Sequence, residues 1–252
     1  MKRLLTCIAA SLLLLACPLQ AASPEAEAVI AKARAHLGGD AALDAVRSIR
    51  YSGSIEMTET PAATPARSRI EIIFQKPCQH RLVITSDKTT DITGLDDYLA
   101  WRRIVPLDGG RAQTIGMGAD ATQRLRANTW ENLSFFRGIE QRGGEIVDQG
   151  EAEIDGIRCR KLVFSYGSGI EFIRYIDLAT GRLVLTETLP VGRIREEGEI
   201  VISGLRFPKK LIATGPASAD GRSRVITITF DRIVLNETFP ASTFEQPVGR
   251  TQ

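Results

Sequence analysis

The sequence predicts a mainly β protein: one antiparallel sheet of about ten to eleven strands, a helical segment at the N-terminus and one helix in mid-chain. Three observations carry this. After Ile49 apolar and polar residues alternate with period two over most of the chain, the spacing of strands with one buried face. The runs are separated by turn chemistry, as in Asp155-Gly156, Asp177-Leu-Ala-Thr-Gly181 and Asp220-Gly221. Helical spacing appears in only two places.

The elements follow in order. Met1, Lys2 and Arg3 are a basic start, and Leu4 to Ala16 is an apolar run too short for the roughly 20 residues of a membrane-spanning helix. Residues 1–21 therefore read as a cleaved signal peptide, with Pro18 breaking the helix and Ala21 and Ala22 offering small residues at the cut. Leu14-Leu15-Ala16-Cys17 also reads as a bacterial lipobox, with lipidation at Cys17. Both readings export the chain, to the periplasm or to a lipid anchor on the periplasmic face of a membrane. Residues 22–252 show no repeat, linker or composition break and read as one domain.

Residues 24–37 read as a helix, with Ser23 as cap, Pro24 at the first position and a stripe of Ala26, Val29, Ile30, Ala33 and Leu37. Gly38-Gly39 ends it, and Asp40 caps a short second helix ending near Val46. Strand patterns cover 49–58, 67–76, a segment from Arg81, and 97–105. Residues 119–136 read as the mid-chain helix. Further strands are expected at 157–165, 170–177, 182–189, 194–204, 205–213 and 222–235.

Composition excludes several functions. Lys2 and Arg3 account for the whole formal charge of +2, and the rest of the chain is neutral. Arginine outnumbers lysine 25 to 7 but alternates with acids and forms no stripe, so nucleic-acid binding is not expected. Two histidines leave no room for a His-rich metal site, and neither a metal nor another cofactor is expected. Cys78 and Cys159 remain after the leader and read either as a disulfide of an exported protein or as two small buried apolar residues.

Catalytic templates fail. The nucleophile elbow, the phosphate-binding loop, the zinc-protease helix and the dinucleotide fingerprint are all missing from the sequence. His36 lies at a helix end. Cys78 and His80 are close in sequence, but nothing orients the imidazole. Asp96-Asp97 and Glu196-Glu197-x-Glu199 read as solvated faces, since neighbouring strand residues point to opposite sides. Lys76 and Arg81 flank Pro77 at a strand end, where they are either surface cations or a latch that holds a lid across the rim.

Several motifs occur together in order. They are Gly38-Gly39-Asp40 before Ala45-Val46-Arg47-Ser48-Ile49; Phe74-x-Lys76-Pro77-x-x-x-Arg81; Trp101; Gly150-x-x-x-Ile154-Asp155-Gly156; Asp177-x-x-Thr180-Gly181-Arg182-Leu183; Gly204-x-x-Phe207-Pro208-Lys209; and Asn236-Glu237-x-Phe239 with Phe244-Glu245-x-Pro247. In this order they resemble the LolA/LolB-like family of outer-membrane lipoprotein-sorting proteins. The resemblance implies an unclosed, strongly curved antiparallel β-barrel with helices covering the concave side of an apolar cavity. It also implies a non-enzymatic carrier of lipid or lipoprotein acyl chains, in which the residue before Pro77 ties the lid. Where the family has Arg, this chain has Lys76, a point charge rather than a planar fork.

On this reading the concave face is lined by Ile70, Ile72, Phe74, Leu99, Trp101, Ile200, Ile202, Ile226, Ile228 and Phe230. The expected partner is a lipid or lipoprotein acyl chain, with other envelope proteins as further partners and with peripheral or lipid-anchored membrane association. The alternative is an envelope interaction or scaffold protein whose barrel is filled. A hydrolase is the third reading.

Overall fold

The computed structural model describes residues 23–60, 66–167, 169–188, 192–216 and 223–247. The expected leader, Cys17 and the Asp220-Gly221 turn lie outside the described residues.

Helix α1 (Pro24–Leu37) starts as its sequence dictates. Ser23 is extended, and its hydroxyl accepts from the Ala26 amide at 3.1 Å. That leaves Pro24 at the first helical position, where its missing N–H removes no bond. Ala26, Val29, Ile30 and Ala33 are buried along one stripe. Gly38 ends the helix at φ 133°, and a Cβ there would lie 2.6 Å from the Gly204 carbonyl oxygen. The turn therefore needs a residue without a side chain. Helix α2 (Asp40–Asp44) follows at once. Gly39, not Asp40, is its cap, because the Asp40 carboxylate is engaged by Arg34.

Thirteen strands make up the rest: β1 (Ser48–Thr60), β2 (Ala66–Gln75), β3 (Gln79–Thr85), β4 (Thr89–Asp96), β5 (Leu99–Pro106), β6 (Gln113–Gly116), β7 (Glu145–Ile154), β8 (Ile157–Ser165), β9 (Glu171–Asp177), β10 (Leu183–Thr188), β11 (Gly192–Ile202), β12 (Leu205–Thr214) and β13 (Ser223–Leu235). Helix α3 (Ala119–Ser134) and a 3-10 turn at Ile139–Arg142 lie between β6 and β7. The strands form one sheet in the order β6-β5-β4-β3-β2-β1-β13-β12-β11-β10-β9-β8-β7, and every ladder is antiparallel. Two meanders thus meet in the middle, where the first strand pairs with the last. The expected strongly curved barrel of ten to eleven strands is corrected to an open sheet of 13, neither closed nor strongly curled.

The strands missing from the sequence reading are β4, β6 and β7. Their side chains are largely exposed or half-buried, with only Leu95, Gly94 and Ile146 buried. Backbone ladders hold them, and no apolar run announces them. Two of the three expected hairpin turns lie in the described residues, and both form. Asp155 and Gly156 take φ 51° and 79°, and Gly181 takes φ 78° with its amide on the Asp177 carbonyl at 2.8 Å.

Register decides which side chains share a face. Phe74, Tyr51 and Phe230 belong to one face, with Phe207, Ile200 and Ile202 of the second meander continuing it. Both long helices lie on that face. The stripe of α1 packs against Leu162, Phe164, Phe172 and Ile176. Leu43 and Val46 by α2, with Leu133 of α3, pack against Ile49, Tyr51, Phe74 and Phe207. Trp101 lies on the opposite face, over Gly94, where a Cβ would come within 2.3 Å of the ring. The indole N–H donates to the Phe244 carbonyl at 2.8 Å, and Phe244 is fully buried. The C-terminal segment is held beside it by Ser48 Oγ donating to the Glu237 carbonyl at 2.6 Å and by Arg50 paired with Glu237 at 3.0 Å.

Arg34 ties the helices together. Its side chain is fully buried; Nε donates to Asp40 at 2.5 Å and Nη2 to Asp44 at 2.6 Å. Nη1 donates to the carbonyls of Ser134 and Phe135, at 3.3 and 2.8 Å. Those carbonyls end α3, the Ser134 carbonyl accepting also from the Arg137 amide at 3.3 Å, and a cation there suits the negative end of the helix dipole. Replacing Arg34 with Met should lower unfolding free energy by roughly 3 kcal/mol, because four acceptors lose one buried donor group. Urea denaturation checks this. Arg34→Lys should recover only part of the loss, since one ammonium cannot match the planar fork.

Candidate functional site

A cavity of about 630 Å³ lies between α3 and the sheet. Ala121, Leu125, Asn128, Asn132 and Phe135 of α3 face it, a stripe at helical spacing. The sheet contributes Tyr51 of β1, Ile72 and Phe74 of β2, Phe172 of β9, Phe207 and Leu211 of β12, and Ile228 and Phe230 of β13. Both meanders therefore supply walls, and α3 closes the space because it must travel from one sheet edge to the other.

Of the ten residues expected to line a concave face, Ile72, Phe74, Ile228 and Phe230 line this cavity. Ile70 and Ile226 share their face through the ladders with β1 but lie outside the cavity wall. Ile200 and Ile202 are half-buried on the same face, packed against the cluster of Leu43, Leu205 and Phe207. Leu99 and Trp101 are on the other face, Leu99 being 71 % exposed and Trp101 covered by Phe244. Alternation fixes which residues go together, but not which face is covered.

Lys76 and Arg81 lie at the strand ends that the latch reading named. The Lys76 amide donates to the Arg47 carbonyl at 2.9 Å, while neither cation makes a hydrogen bond or ion pair to a helix among the described residues. The helices are held by Arg34. Cys78 and Cys159 are free buried thiols in separate apolar clusters, so the disulfide reading gives way to the plain one. Burial pushes both thiols up from their ordinary value. His80 is stacked on Phe74 with ring centroids 4.9 Å apart, and burial lowers its pKa to about 4. A raised thiol beside a weakly basic imidazole is the reverse of what an activated Cys–His pair needs. Asp96 accepts from Gln79 at 2.8 Å and Asp97 faces Arg126 at 3.4 Å, so the two carboxylates serve separate neighbours. His36 is half-buried near the end of α1. Among the described residues no cluster of three metal-ligating side chains occurs, and no helix is long and apolar enough to cross a membrane.

The polar groups of the cavity were not foreseen. Glu131 of α3 has a side chain only 2 % exposed and accepts from both Arg174 of β9 and Tyr166. The Arg174 guanidinium lies over Phe136 at 4.7 Å and Phe164 at 5.2 Å. This pair closes its own charge, as a buried pair must. Glu196 of β11 differs. Glu197 pairs with Lys210 at 3.5 Å and Glu199 with Arg206 at 2.6 Å, as solvated faces do. Glu196 turns to the cavity opposite Tyr51, with no hydrogen bond or ion pair among the described residues. Desolvation, opposed by Arg174 and Arg182, raises its pKa to about 7. Glu196 raises the Tyr51 phenol in turn, after burial itself. Within a run of three acids, only tertiary placement separates Glu196 from its neighbours.

An open antiparallel sheet with helices on one face defines the class, and solved structures share that fold. The chain is similar to a LolA superfamily protein from Nitrosomonas europaea (TM-score 0.57, 14 % identity, 88 % of this chain and 97 % of that one). It is similar to a domain described as an outer membrane lipoprotein-sorting protein from Vibrio parahaemolyticus (0.53, 10 %, 87 % and 97 %). A DUF1329 family protein from Desulfovibrio piger aligns as well (0.54, 11 %, 87 % and 96 %). No family model matches the sequence, and no curated protein does either. The chain has the LolA-superfamily fold, in agreement with the resemblance of its motifs.

Glu196 should reveal itself in stability. Its folded pKa of about 7 lies above the 4.5 of an ordinary glutamate, so the folded state holds the proton more tightly. Native stability is therefore fully present below about 4.5 and declines as pH rises through about 7. The Glu196→Gln protein should unfold later than the parent at pH 8 and alongside it at pH 4.5, in thermal scans across that range.

Proposed function

We propose that this protein is a non-catalytic carrier in the cell envelope that shelters an acyl chain of a lipid or lipoprotein in the cavity under α3. The cavity of about 630 Å³ with mostly apolar walls is the observation that supports it. Binding pockets for small ligands span roughly 300–1,000 Å³. Burying a dozen methylenes is worth on the order of 10 kcal/mol before association costs. The shared fold adds support, since one structural neighbour is a lipoprotein-sorting domain. A carrier of this kind works after export, which agrees with the leader read in residues 1–21 and with either a free or a lipid-anchored periplasmic form.

The filled-barrel scaffold is the weaker reading, because space remains between helix and sheet. A hydrolase is weaker still, because the acids, thiols and imidazoles named above are paired, buried or poorly oriented for attack. The test uses an uncharged fluorescent probe, N-phenyl-1-naphthylamine. The wild-type protein should bind it, and the double variant Ile72→Trp/Ile228→Trp should bind at least tenfold more weakly with a similar unfolding midpoint. Equal binding by both proteins would remove the cavity from the function.

A further inference from the structure

A second, smaller chamber of about 300 Å³ opens beside the acyl cavity. The two share Leu37, Phe136, Leu183, Phe207 and Glu196 as a common wall. The large chamber is lined mostly by apolar side chains. The small one adds His36, Arg182 and Glu199, while Arg206 lines both. An occupant that crosses the shared wall thus passes from an apolar space to a polar one, and the Glu196 carboxylate stands at the crossing.

The other charged groups around this crossing have partners or lie at the rim. Arg174 pairs with Glu131 through Nη2, with Tyr166 as the second donor to the carboxylate, and its buried Nε has no partner among the described residues. Arg206 donates to Glu199 at 2.6 Å. Tyr51 faces Glu196 from β1, Arg182 from the β9–β10 turn is exposed, and His36 is half-buried on α1. None of them hydrogen-bonds to Glu196 among the described residues. A carboxylate held without a donor in an apolar cavity is costly, and folding stability gives no reason to keep it. A ligand that brings an N–H donor and a positive charge would offset the cost.

We propose that the occupant is an amphiphile with a primary amine head, its tail in the large chamber and its ammonium group on Glu196 at the shared wall. This rests on the carrier reading and names the head group that such a ligand carries. An ammonium with three N–H donors can reach both carboxylate oxygens of one acid, and a charge-assisted bond out of water is stronger than a neutral one. A fatty acid would instead set a second carboxylate against Glu196, and an alcohol would bring one neutral hydroxyl.

Dodecylamine, dodecanol and dodecanoic acid have equal tails and separate the head from the chain. Each is titrated against bound N-phenyl-1-naphthylamine, below its aggregation concentration. At pH 8 the amine should displace the probe at a concentration at least tenfold lower than the alcohol, and the acid should be the weakest. The Glu196→Gln protein should bind amine and alcohol alike. Between pH 6 and pH 8 the amine should bind more tightly as Glu196 ionises, while dodecanol, which brings one neutral donor and no charge, should change far less. Equal affinity for amine and alcohol in the wild-type protein overturns the head-group assignment and leaves the carrier reading standing. A preference for the amine that survives Glu196→Gln overturns it as well. If none of the three ligands displaces the probe, the carrier reading fails together with it.

Discussion

A sheet whose first and last strands pair in its middle leaves its two outer edges to be joined by the chain between them. Here that chain runs from β6 at one edge to β7 at the other, and it has to cross a face of the sheet to do so. Helix α3 is the crossing. Its backbone bonds are satisfied internally, so it can lie over apolar side chains without leaving polar groups unpaired. Everything functional in the structure follows from this crossing: the covered face, the space beneath, and the need to fasten a helix that spans two half-sheets.

Arg34 is the fastening. One guanidinium meets the end of α3 and both acids of α2 from within α1, and it is fully buried while doing so. Its five donors suit four acceptors that come from two separate segments, which neither a lysine nor an apolar contact could match. The cation at the rim, Lys76, lies outside this network.

The cavity shows how the same inner face can hold both core and site. Where α1 and α2 press on the sheet, the face is packed by Ile49, Leu162, Phe164 and their neighbours. Where α3 stands off it, the same alternation of side chains lines a void. The two carboxylates there are treated differently. Glu131 is neutralised inside the wall, which keeps the cavity apolar. Glu196 has no hydrogen bond or ion pair among the described residues and stands where the apolar cavity meets a more polar one, at an expense in stability that functional sites commonly carry.

Sequence alone determined the local elements with strong patterns. Ser23, Pro24 and Gly38 set the limits of α1, Asp177 to Gly181 set a hairpin, and the alternation in β2 and β13 placed Ile70, Ile72 and Phe74, or Ile226, Ile228 and Phe230, on common faces. These follow from bonds and angles within a few residues. It did not disclose β4, β6 and β7, because their exposed or half-buried side chains carry no apolar run, nor the total strand number, which depends on them. Only the tertiary structure decided which face is covered, and so that Trp101 packs under the C-terminal segment instead of under a helix. Only it set Glu196 apart from Glu197 and brought Arg34, Glu131 and Arg174 to their partners, which lie as many as 101 positions away in the case of Arg34 and Phe135. Such pairings depend on which strands meet across the sheet, and period-two alternation is identical whichever neighbour a strand finds.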